Sequence, residues 1–174
     1  MGSERPGSEG KPDARRDNGR MTDPAGELAA LLRRTVEALE RAGIPDEALA
    51  TEGKTMLGRK PKLVPAGRAW RLGVLLLDRD ARLYATGDVT RAIEPLRAVT
   101  NRSQQAEARR DDRRAAVRGH FPEGEVVNFG HTPIDFETAP GPLSIVDGIV
   151  MVRWSAGPDV RPLAGYLAER LELQ

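Results

Sequence analysis

Leu28, Leu31, Leu32, Val36 and Leu39 recur three or four residues apart between mostly charged and small residues. That period lays one apolar stripe along an amphipathic helix. Asp23 is the expected N-cap, and Pro24 suits the first helical position. Gly43 and Pro45 end the pattern, and DEALA at 46–50 reads as one further helical turn. Residues 54–71 read as a basic loop, punctuated by Gly and Pro. From Trp70 the period changes to two. RLGVLLLDRDARLYAT reads as two strands joined at 78–81, with Trp70, Leu72, Val74 and Leu76 sharing a face. Leu75 and Leu77 make the opposite face apolar too, as in a central strand covered on both sides.

Further along, Pro95 breaks any helix through 88–102, so that stretch is expected to be irregular. Residues 103–121 predict a wet helix with Ser103 as N-cap and Val117 and Phe121 as its anchors. VVNFGHTPIDF, 126–136, predicts a strand, a bend and a short strand, with Asn128 bonding the Gly130 N–H as an Asx turn. In LSIVDGIVMVRW, Asp147-Gly148 supplies the positive φ angles of a type I′ hairpin turn. Val160, Leu163, Leu167 and Leu171 then line one face of a closing helix. Together these predict an α+β fold: an antiparallel sheet of four to five strands built from two hairpins, with N-terminal, central and C-terminal helices packed on it.

Composition sets the boundaries. Residues 1–21 carry charge, Gly, Pro and Ser with almost no large apolar side chain, and are expected to form a disordered tail. Residues 22–174 are expected to form a single domain. The chain has no cysteine, which removes disulfides, thiolate nucleophiles and Cys-ligated metals. The longest apolar run, LGVLLL, is far shorter than a membrane span, and no signal-peptide pattern opens the chain, so a soluble cytoplasmic protein is expected. The net charge of +1 points to no polyanionic partner. Abundant Arg, Ala, Gly and Pro fit a GC-rich bacterial source, which discounts the arginines as evidence of phosphate binding.

Several motifs fail on inspection. ALATEGKT lacks the first Gly of a phosphate-binding loop and puts Glu52 where the phosphates would lie. Ser8 and Lys11 match a Ser-x-x-Lys acylase pair, but sit in the tail with nothing to hold them together. His120, His131 and Asp135 fit no metal-ligand spacing, so no metal and no cofactor are expected. Within 107–118, Glu107–Arg110, Arg109–Asp112 and Asp111–Arg114 are spaced for ion pairs along a solvated helix face. A nucleic-acid site over 54–71 and 109–118 would need both segments to form one basic face, and base stacking finds no aromatic platform on the helix. His131 oriented by Asp135 is the candidate general base, without an obvious nucleophile. Asn128, Arg71, Arg91 and Arg153 border the strands as candidate binding residues for an anionic group.

AWRLGVLLLDRDARLYATGDVTRAIEP, FPEGEVVNFGHTPID and GPLSIVDGIVMVRW resemble a family of small, uncharacterised actinobacterial proteins over roughly residues 65–173. Some members of that family carry the name glutaminase, which implies amide hydrolysis; no catalytic residues carry over with the name. Without cysteine, a cysteine-triad glutaminase is excluded. The reading that best fits the residues is a small non-catalytic module that binds a small molecule or a protein partner. An amide or ester hydrolase using His131 and Asp135 is the alternative.

Overall fold

The computed structural model describes residues 23–53, 60–95, 103–136, 138 and 141–173. The expected tail at 1–21 lies outside them. Helix α1 (Pro24–Arg41) opens the fold as its stripe requires, with Leu32, Val36 and Leu39 buried. Asp23 contributes its carbonyl rather than its side chain: Glu27 N donates to it at 3.0 Å. Strands β1 (Glu47–Glu52), β2 (Leu63–Leu72), β3 (Leu75–Asp78), β4 (Leu83–Ala85) and β5 (Asp88–Arg91) follow, then α2 (Gln104–Arg118). Next come β6 (Val126–Phe129), β7 (Thr132–Pro133), β8 (Leu143–Val146), β9 (Ile149–Arg153), β10 (Val160–Pro162) and α3 (Leu163–Glu172). None of the described helices is long and apolar enough to cross a membrane.

The class is α+β, but the sheets differ from the expected four to five antiparallel strands. Among the described residues a seven-stranded sheet runs β5-β6-β1-β2-β3-β4-β7, and a second sheet runs β10-β9-β8. The large sheet is mixed, because β1 pairs with β6 in parallel and with β2 antiparallel. Three local corrections explain the difference. DEALA is strand, not helix: Ala48, Leu49 and Ala50 are all buried between two neighbouring strands, and that burial overrides helical propensity. The expected loop over 54–71 becomes β2 from Leu63 onward. Residues 88–91 of the expected irregular stretch form β5 against β6.

The run LGVLLL is also two strands rather than one. Gly73, at φ +65, turns the chain, so Leu72 pairs with Leu75 and Arg71 with Leu76. Trp70 and Leu72 therefore share a face with Leu75 and Leu77, and Leu76 alternates to the other side. Tyr166 of α3 holds this turn. Its hydroxyl donates to Leu72 O at 2.9 Å and accepts from Val74 N at 3.0 Å. Tyr166→Phe should cost about 1–3 kcal/mol by stranding a buried carbonyl and an amide. A fall in the urea midpoint with an unchanged slope checks this. Val160, expected on the last helix, lies in β10, and α3 instead buries Leu163, Tyr166 and Leu167.

Both layers of helix lie on one face of the large sheet. Helices α1 and α3 cover Trp70, Leu72, Leu75 and Leu77. Ala115 and Ala116 of α2 pack on Ala48, Ala50 and Val127. On the other face Leu49, Ala69 and Leu76 form a separate cluster with Tyr84 and no helical residue.

Candidate ligand-binding cleft

Small residues let α2 approach the sheet closely. Gly119 follows the helix at φ −78 and sits so near β2 that a Cβ there would lie 2.0 Å from the Leu63 carbonyl oxygen. Arg118 clamps the same contact, its Nε donating to Pro61 O at 2.7 Å. Between the C-terminal half of α2, from Asp111 to Arg118, and the β1–β2 hairpin lies a cavity of about 730 Å³. Leu63, Ala115 and Phe129 give it an apolar floor; Glu52, Asp112, Lys60 and Lys62 bring charge to its wall. This volume lies within the range of small-molecule sites, and an apolar floor with a few polar groups is their usual lining.

The charges in the cleft are unevenly partnered. Arg114 is held by Asp111 at 2.9 Å and Glu107 at 3.5 Å, and Arg118 by Pro61. Among the described residues Glu52, Asp112, Lys60 and Lys62 make no ion pair. The Arg109–Asp112 pair expected from spacing does not form. Asp112 instead faces the sheet, where burial, and then Asp88, Asp111 and Glu52, push its carboxyl above the usual range. A raised carboxyl is favoured protonated in the fold. Its contribution to stability is complete below the unfolded value and is lost as pH rises through the raised one. Asp112→Asn should therefore stabilise the ligand-free protein at neutral pH and flatten its stability profile just above the ordinary carboxylate range. Denaturation midpoints at several pH values read this directly.

The residues singled out in the sequence sit elsewhere. Asn128 is wholly buried and makes no Asx turn. Its Oδ1 accepts from Arg71 Nε and Nη2 at 2.9 and 2.5 Å, and its Nδ2 donates to Glu47 Oε2 at 2.8 Å and Ala48 O at 3.2 Å. With Glu47 also 3.7 Å from Arg71 Nε, the three side chains lock β6, β1 and β2 together on the face opposite α2. Asn128 and Arg71 are thus brought together. Arg91, on the edge strand β5, is exposed and donates to Gly124 O at 3.2 Å. Arg153 is exposed on β9 of the smaller sheet.

His131 stands edge-on to the Tyr84 ring, with centroids 5.2 Å apart. Its Nδ1 is buried without a hydrogen-bond partner. Burial is what lowers its pKa, and no carboxylate raises it, so the ring is neutral at physiological pH. Asp135 is exposed and accepts from Thr138 Oγ1 at 2.8 Å. Among the described residues no group of three or more His, Asp and Glu side chains is placed to hold a metal.

Glu52, Asp112 and Lys62 form the cleft, and no sequence motif marks them. The two segments that a nucleic-acid site would need, 54–71 and 109–118, meet at it from 60 onward, but acids are interleaved with the bases. No protein-family model, no curated protein and no solved structure matches the chain.

Proposed function

We propose that the protein is a non-catalytic binding module that holds a compact zwitterion of amino-acid type in the cleft between α2 and the β1–β2 hairpin. One observation carries this reading: the cleft presents unpaired charges of both signs over an apolar floor. A ligand ammonium would neutralise the mutual repulsion at Asp112 and Glu52. A ligand carboxylate would meet Lys60 and Lys62, and an apolar side chain would rest on Leu63 and Phe129. Perturbed carboxylates in a cleft are a general mark of functional sites, and a site that costs stability when empty is common where function requires it.

This reading is preferred to hydrolysis at His131 and Asp135, because the unshifted-by-charge histidine and the Thr138-bonded carboxylate do not act as an oriented pair. It is preferred to nucleic-acid binding because Glu52, Asp111 and Asp112 interrupt the basic surface. The test is thermal melting against each common amino acid, with glutamine samples also assayed for ammonia. At a hundred times its dissociation constant a ligand adds about 2.7 kcal/mol, a rise of about 5–10 °C for a domain of this size. Asp112→Asn and Lys62→Glu should each abolish the rise. Ammonia release that His131→Ala removes would replace this reading with the hydrolase.

A further inference from the structure

The smaller sheet has a bare apolar face. Leu143 and Val152 point into the main core, and Val150 packs against it. By register, Ser144, Val146, Ile149, Met151, Arg153 and Val160 therefore share the outer face. Val146 is 46% exposed, Ile149 54% and Val160 39%. Isolated exposed apolar residues mean little, but Val146 and Ile149 are direct cross-strand partners, and half-buried Met151 joins them to Val160 beside Arg153.

We infer that this face pairs with the same face of a second copy across a two-fold axis. The arrangement of charge singles out that occupant. Asp147 at the hairpin tip and Arg153 at the base of β9 lie equally far from Val150, as do Ile149 and Met151. A two-fold through Val150 sets Asp147 of each copy against Arg153 of the other, and Ile149 against Met151. Such a self-complementary pattern is what an isologous contact requires. Neither Asp147 nor Arg153 has an ion-pair partner among the described residues. Asp159, one residue before β10, alternates away from this face. The footprint, three strands by five residues, is about 14 Å by 17 Å. A standard stable interface buries about 800 Å² per partner, so the dimer is weak and forms as concentration rises.

Sedimentation equilibrium of the full chain over a hundredfold concentration range, about 5 to 500 µM for a weak contact of this size, tests this. Wild type should pass from monomer to dimer. Arg153→Glu, which sets two acid pairs against each other, should raise the dissociation constant at least about tenfold. Adding Asp147→Asn, which keeps the hairpin turn, should recover most of that loss. Circular dichroism confirms that each variant is folded. A wild type that stays monomeric throughout would overturn the inference, leaving the face to a different partner. So would a dimer indifferent to Arg153→Glu, or one that Asp147→Asn fails to rescue.

Discussion

Asn128→Leu lowers stability by about 3 kcal/mol. The side chains are similar in volume, so the loss is polar rather than a cavity. Asn128 uses its full hydrogen-bonding capacity, two bonds accepted and two donated. Leucine leaves the Ala48 carbonyl without that donor and leaves Arg71 beside Glu47 at 3.7 Å without its principal acceptor. The cost falls where β6 joins β1 by two parallel register pairs, the short seam that connects β5 and β6 to the meander. Melting should drop by about 6–12 °C. Arg71→Leu in the same chain should recover part of the loss, because removing both partners of a buried bond costs less than removing one. Equal additive losses would mean the network is not a unit.

Gly119→Ala should cost about 2–3 kcal/mol, although its backbone, at φ −78, suits alanine well. The whole effect comes from contact. The new methyl would sit 2.0 Å from Leu63 O and 2.9 Å from Phe121 Cε2, and a backbone carbonyl in a strand cannot move aside. The C-terminal end of α2 must lift, breaking the Arg118–Pro61 clamp and widening the cleft. Ligand affinity should fall together with stability. Gly165 is the control: it lies in α3 with nothing within 4 Å of its Cβ position, so alanine there should add about 0.5–1 kcal/mol.

The elements that the sequence specifies through their own side chains are where it predicts them. Helix α1 follows its leucine stripe, Ser103 caps α2 by accepting from Ala106 N, and Asp147-Gly148 turns with φ of 49 and 77. The failures share a different cause. DEALA carries good helix formers and becomes a strand only because β2 and β6 flank it, which no local pattern announces. Gly73 reads as a strand residue within LGVLLL; the partner that holds it as a turn, Tyr166, is more than ninety residues away. The candidate sites fared similarly. Asn128, Arg71 and His131 stand out as polar residues among apolar ones, but such residues are also how a sheet is fastened internally, and Asn128 is used that way. In the sequence Asp112 is one more charge on a solvated helix. Its carboxyl is raised first by burial against the sheet and then by Asp88, Asp111 and Glu52, and the approach of the sheet depends on the topology.

The central claim is that the cleft between α2 and the β1–β2 hairpin is the binding site. Amide chemical-shift mapping of labelled protein during titration with the amino acid that melts highest tests it most directly. Saturable shifts are expected, confined to residues around Glu52–Gly53, Lys60–Leu63 and Asp111–Arg118 and absent in Asp112→Asn. Shifts centred on His131, Tyr84 and Asp135, or none with any member of the panel, would contradict it.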